Sequence, residues 1–188
     1  MTDKHNIIVL GALEYSSIAI GLLALDQMVK VAHIQIIDAR TISSGKYLII
    51  FSGDVASVEY AYTAGCDTGG DFTVDKLFLP QVHPDVIPAI GNNINSGEWD
   101  TIGIIETLSI VSGIEAADSA AKEGGVKIIE VRLADGYGGK SYVKMMGSLD
   151  SVQAAMKAGT AKAKQKKLFG MEAIIPQPHK EIKPFFMS

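Results

Sequence analysis

Among the residue groupings able to carry chemistry, Ala134-Asp-Gly-Tyr-Gly-Gly-Lys-Ser141 comes within one glycine of a phosphate-binding P-loop. Such a loop must run into a helix whose N-terminal N–H groups face the phosphates. Here Ser141-Tyr-Val-Lys-Met-Met146 reads as a strand, and no acidic residue follows a nearby strand as a magnesium ligand would. No nucleotide site is expected. Glu14 and Glu106 could be a carboxylate pair for general acid–base work. His83 and His179 are candidate metal ligands, but neither has a second His, Cys or Asp at ligand spacing. Cys66 is the only cysteine, so an internal disulfide is impossible. Lys162, Lys164, Lys166 and Lys167 lie in a helical Ala/Lys segment and read as a solvated helix end. With a net charge of -4 and no strongly basic stretch, nucleic acid is not expected as a partner.

These candidates must be positioned by secondary structure, and the chain supplies that structure twice. Leu10-Gly-Ala-Leu-Glu14 matches Ile102-Gly-Ile-Ile-Glu106, and at the same offset Gly21, Asp26 and Lys30 match Gly113, Asp118 and Lys122. Ile36-Ile37 pairs with Ile128-Ile129, and Arg40 with Arg132. After a slip of two residues, Gly45-Lys46 matches Gly139-Lys140, Gly53 matches Gly147, and Ser57-Val58 matches Ser151-Val152. The slip places an insertion within Asp135-Gly-Tyr-Gly138, and duplicated folds tolerate insertions in turns. A last block aligns Pro80-Gln-Val-His83 with Pro176-Gln-Pro-His179, and Pro88 with Pro184. Repeated equivalence argues that Glu14 and Glu106, like the two histidines, serve one structural role used twice. The polar stretch Gly91-Asn-Asn-Ile-Asn-Ser-Gly97 reads as the linker. The expected modules are therefore residues 7–92 and 100–186.

Within each copy, Ile7–Glu14 and Thr101–Glu106 are short β-rich runs. Ile18, Leu22, Leu25 and Val29 fall at helical spacing within Ser17–Ala32, and Ile110, Ile114, Ala117 and Ala121 occupy the matching positions. Second strands are expected at Ile34–Ala39 and Val126–Leu133, and third strands at Lys46–Phe51 and Lys140–Met146. Second helices follow at Asp54–Ala64 and Leu149–Ala163, begun by Asp54 and by Ser148 or Asp150, then fourth strands at Lys76–Leu79 and Met171–Ile175. The order β-α-β-β-α-β predicts an α+β fold of two tandem ferredoxin-like modules, each an antiparallel sheet with helices on one face. The other face lacks helices, and if exposed it would suit a flat oligomer. Trp99 is expected to pack at the module junction. The N-terminal residues do not read as a signal peptide, and no apolar run approaches the roughly 20 residues of a membrane span. The expectation is a soluble, cytoplasmic chain with no membrane contact.

Together, the Gly-x-Ile/Leu-Glu strand, the Gly…Ala-x-Asp…Lys helix, the Gly-Lys strand, the Gly-Asp-Val-x-x-Val helix and Pro-x-x-His resemble the bacterial microcompartment shell module. Two unpermuted copies resemble the tandem-domain shell proteins, especially the propanediol-utilisation type. That resemblance implies a homotrimer with pseudo-hexagonal symmetry, joined edge to edge with other shell proteins into a sheet that encloses enzymes. It assigns the tile edge to Lys30 and Lys122, where a long stem can lie along a neighbour, and to Gln81, His83, Gln177 and His179. The family often has arginine where Gln81 and Gln177 stand, so that contact should be weaker or differently made.

The resemblance also places a central pore, open to small polar metabolites, at the loop between second and third strands. This loop corresponds to Ser43, Ser44 and Gly45 in the first copy and to Asp135, Gly136, Tyr137, Gly138 and Gly139 in the second. Glycine permits close backbone approach at a symmetry axis, and three Asp135 carboxylates would add negative potential there. Some relatives hold an iron–sulfur cluster through a cysteine in the first loop. The matching residue here is Ser43, a poor substitute for thiolate, so neither cluster, metal nor other cofactor is expected. A small-molecule-sensing regulatory oligomer remains the alternative. An enzyme is not expected, because the sequence shows no nucleophile–base set.

Overall fold

A computed structural model describes residues 8–92, 94, 99–134, 136 and 138–187. Asp135 and Tyr137 of the second expected pore loop, and Ile7, lie outside the described residues. The chain forms two compact units, Met1–Val82 with Ala134–Gly139 and His83–Leu133 with Lys140–Ser188. This division differs from the expected modules in two short exchanges. Residues 134–139 group with the first unit, and residues 83–92 group with the second.

The first unit runs β1 (Leu10–Tyr15), α1 (Ile18–Val31), β2 (Gln35–Ile42), β3 (Lys46–Ser52), α2 (Val55–Gly69) and β4 (Thr73–Leu79). The second contains α3 (Val86–Ala89), β5 (Thr101–Thr107), α4 (Ile110–Gly124), β6 (Lys127–Arg132), β7 (Ser141–Gly147), α5 (Leu149–Gln165), β8 (Phe169–Ile175) and α6 (Lys183–Phe186). The sheets have the strand orders β2-β3-β1-β4 and β6-β7-β5-β8, with every pairing antiparallel. In each unit two helices pack on each other and on the sheet, α1 with α2 and α4 with α5. This is the expected split β-α-β arrangement, twice. No helix among the described residues is long and apolar enough to cross a membrane.

Local sequence sets the helix starts. Ser17, Asp54, Ser109 and Ser148 each accept a hydrogen bond from the backbone N–H three residues on, satisfying a donor that the first turn leaves open. The end of α2 departs from expectation, since the helix continues past Ala64 to Gly69. Gly65 and Gly69 look like stop signals, but Gly65 lies inside the helix and Gly69 is its last residue, and both are pressed against β1. A Cβ on Gly65 would sit 2.4 Å from Leu13 Cδ1, and one on Gly69 would sit 2.4 Å from the Tyr15 ring. Close packing, not turn geometry, calls for glycine here.

Strand alternation sends Val9, Leu13, Tyr15, Tyr47, Ile49 and Phe51 toward Ala24, Met28, Val58 and Ala61 of the helices. The opposite face is not open. Leu10, Ala12, Glu14, Leu48 and Ile50 are all fully buried. In the second unit the same face holds Ile102, Ile129 and Met146, capped by Phe186 of α6 and by Trp99. The Trp99 ring meets Phe186 edge-on at 5.8 Å, and its Nε1 donates to the Pro178 carbonyl at 3.0 Å. Trp99 therefore packs beneath the chain's own C-terminal segment, inside the second unit.

Candidate functional site

The repeated Glu and Gly-Lys residues meet across each sheet. Glu14 is the fifth residue of β1 and Lys46 the first of β3. Lys46 Nζ lies 2.8 Å from Glu14 Oε1, with the carboxylate side chain wholly buried and the lysine 17% exposed. In the second unit the matched pair, Lys140 and Glu106, is 3.6 Å apart and about half exposed, at 56% and 42%. One structural role is thus used twice, at very different burial. The second unit adds a buried ionic cluster on its helix-free face. Lys144 Nζ lies 2.9 Å from Glu130 and donates to the Phe186 carbonyl at 2.7 Å, while Arg132 also pairs with Glu130. Sequence reading noted the Arg40/Arg132 match but missed this cluster, because the repeat has Ile50 where Lys144 stands by register.

Directly beside the Glu14–Lys46 pair, the first unit brings the two expected pore loops together. Ser43 N–H donates to the Ala134 carbonyl at 3.4 Å, and the Gly136 N–H donates to Ser43 Oγ at 2.8 Å. A Cβ on Gly139 would stand 3.2 Å from Lys46 Nζ. Ser44, Gly45, Gly136, Gly138 and Gly139 all have positive φ, between 61° and 84°. Glycine adopts that region freely and other residues at a cost, which accounts for four of these five positions being glycine. The result is a short exposed platform of turned backbone around Ser44, Gly45, Gly136 and Gly138. Ser141–Gly147 is a strand, so the P-loop-like run does not lead into a helix. Cys66 lies elsewhere, in α2, half-buried, with burial pushing its thiol pKa upward.

The two expected edge lysines occupy the last turns of α1 and α4. Lys30 bonds Asp26 at 2.5 Å and Lys122 bonds Asp118 at 2.6 Å, each one helical turn back. The sequence showed both aspartates as repeat matches without revealing them as lysine partners. His83 and His179 also share a role, since each Nδ1 accepts from the backbone N–H two residues on, Asp85 at 3.2 Å and Glu181 at 3.4 Å. His83 N–H in turn donates to Asp118 at 2.8 Å, which joins the Pro-x-x-His segment to the Lys122 turn. Gln81 and Gln177 are exposed, and Gln177 has a positive φ of 51°.

Two repeated units with matched Asp–Lys helix ends and matched Pro-x-x-His turns agree with comparison to known proteins. The BMC domain matches residues 9–82 and again 101–178. The chain belongs to the BMC-domain family. The bacterial microcompartment shell protein PduT of Citrobacter freundii is 37% identical over 173 residues, covering 92% of this chain and 94% of that protein. The carboxysome shell protein CsoS1A of Hydrogenovibrio crunogenus is 38% identical over 85 residues, covering 44% of this chain and 85% of that one. Among solved structures, a microcompartment protein from Desulfitobacterium hafniense superposes with a TM-score of 0.82 at 38% identity, covering 95% of this chain and 99% of the other. This BMC-domain chain is a structural component of a microcompartment shell, built as two tandem modules, and its shell role makes other shell proteins its partners.

Proposed function

We propose that three copies of this chain form a pseudo-hexagonal tile with a central pore. The observation that carries the reading is the hydrogen bonding of Ser43 with Ala134 and Gly136, which puts residues of both expected pore loops in one place. Around a threefold axis these unequal loops would alternate, with exposed backbone N–H groups and Ser43 and Ser44 hydroxyls able to replace part of a polar metabolite's hydration. Asp135 would add negative charge at the pore and Tyr137 an aromatic hydroxyl. The pore carries no iron–sulfur cluster, because Ser43 occupies the cysteine position of cluster-bearing relatives. The tile is non-catalytic, resides in the cytoplasm within a shell, and encloses enzymes.

At the tile edge, Lys30 and Lys122 extend toward the neighbouring tile, aided by His83, His179, Gln81 and Gln177. Electron microscopy of the purified protein tests this directly, with flat sheets or tubes of hexagonal tiles expected. Discrete particles that tighten on adding a small ligand would favour a regulatory oligomer instead. Lys30→Glu places a carboxylate one turn from Asp26 and should abolish sheets while preserving the trimer. Unchanged sheets from that variant would remove Lys30 from the edge.

A further inference from the structure

The two units differ where the second long helix meets the last strand of the sheet. In the first unit α2 and β4 bring Tyr62 and Phe78 together, with ring centroids 5.9 Å apart. By repeat alignment Met156 stands for Tyr62. By register Ile174 stands for Phe78, since Ile174 is opposite Gly103 as Phe78 is opposite Gly11. Neither replacement carries a ring, and an open groove of about 430 Å³ remains between α5 and β8. Met156, Lys157, Ala161 and Lys164 form one wall, and Glu172 and Ile174 the other.

Strand β8 ends its sheet, and no strand among the described residues pairs its outer side. Such an edge presents N–H and C=O groups ready to pair with another chain. Both faces of β8 are open as well. On the helix-free face Met171 is 63% exposed and Ala173 is exposed, whereas Asp75 and Leu77, at the same register in β4, are 6% and 4% exposed. On the helix side the charged lining is Lys157, Lys164 and Glu172. Lys164 pairs with Glu172 at 3.0 Å, which leaves the charge of exposed Lys157 in excess, with exposed Lys162 further along α5. A strand laid beside β8 therefore meets apolar surface on one face and positive charge on the other.

We propose that the β8 edge binds an extended segment of another protein in which acidic and apolar residues alternate. The segment adds a strand to the sheet, a mode in which main-chain hydrogen bonds give affinity and alternate side chains give specificity. Successive side chains of a strand point to opposite faces. The apolar set continues the surface of Met171 and Ala173. The acidic set enters the groove, where its stems lie along Met156 and Ile174 and a carboxylate reaches the Lys157 ammonium. A basic segment is rejected, because it sets like charge against Lys157. The β4 edge takes no such segment, because Tyr62 and Phe78 occupy the corresponding space. The surface belongs to the single chain and does not depend on the trimeric reading above.

The probe is a fluorescein-labelled peptide of alternating valine and glutamate, blocked at both ends and matched in length to the 7 residues of β8. Fluorescence anisotropy with the full-length protein should show saturable binding, and a valine–lysine peptide of the same length should not bind. Two variants at exposed positions of α5, Lys157→Glu and Ala161→Trp, are checked for folding by circular dichroism. Lys157→Glu should weaken the valine–glutamate peptide by about tenfold or more and admit the valine–lysine peptide, because charge complementarity across the contact is reversed. Ala161→Trp fills the groove and should weaken binding without reversing the preference. Hydrogen exchange read by mass spectrometry should show added protection in residues 169–175 and none in residues 73–79 when the valine–glutamate peptide is bound. Absence of binding, equal binding of the two peptides, or protection placed elsewhere overturns the proposal. So does unchanged affinity in the folded variants. A β8 strand already protected in the free protein also overturns it, by assigning the edge to a second copy.

Discussion

Replacing Lys46 with methionine removes an ammonium 2.8 Å from Glu14, whose side chain has no solvent exposure. Taking one partner from a buried ion pair costs about 3–5 kcal/mol, because the remaining charge stays desolvated. Lys46 is itself 17% exposed, so part of its charge is already solvated and the lower end, about 3 kcal/mol, is expected. The same change at Lys140 breaks a pair 3.6 Å apart with both side chains near half exposure. Exposed pairs of that kind contribute below about 1 kcal/mol. For chains of this length each kcal/mol moves the melting midpoint by about 2–4 °C, so Lys46→Met should lower it by roughly 6–12 °C and Lys140→Met by less than about 4 °C. Circular dichroism melts at one fixed protein concentration provide the comparison, since association makes midpoints concentration-dependent. Adding Glu14→Gln to Lys46→Met should restore part of the loss, because the neutral amide removes the buried negative charge. Equal shifts for the two lysine variants would refute the claim that burial separates the repeats.

Other expected outcomes follow from individual positions. Gly11→Ala would put a Cβ 2.3 Å from the Phe51 ring, a rigid group, whereas Gly103→Ala meets Val152, Met145 and Met156 at 2.9–3.0 Å. Overpacking of this kind costs about 1–3 kcal/mol, and denaturant midpoints should fall further for Gly11→Ala than for Gly103→Ala. The Asp54 carboxyl is held below its usual range by hydrogen bonds from the Ser57 N–H and hydroxyl. Its contribution is therefore present above the ordinary carboxylate range and lost as pH falls through the lowered value. The midpoint of wild type should exceed that of Asp54→Asn at neutral pH, and the gap should close in acid; a constant gap from pH 7 to 3 would contradict this. Anaerobically purified protein should contain well under one iron–sulfur cluster per three chains by iron and sulfide analysis, and a stoichiometric cluster would reverse the Ser43 reading.

Much of this molecule was legible in one dimension. Matched Gly, Asp, Lys and Pro-x-x-His positions disclosed the duplication, and alternating and helical spacing disclosed β-α-β-β-α-β in each copy. Element ends were less legible. Gly65 and Gly69 resemble stops until their approach to Leu13 and Tyr15 is seen. Likewise, the sequence leaves the exposure of the helix-free faces undecided, whereas in the fold Leu10, Leu48 and Ile102 are buried.

What the sequence determined alone is the set of parts and their equivalence, because hydrophobic period and turn residues act over short distances along the chain. Tertiary structure alone decided how equivalent parts came to differ. Glu14 is sealed while Glu106 is half exposed, and Asp118 is covered by the His83 segment while Asp26 stands open. Burial and ion pairing depend on which distant segment arrives at each residue. Identical motifs therefore have one meaning in the sequence and two in the folded chain.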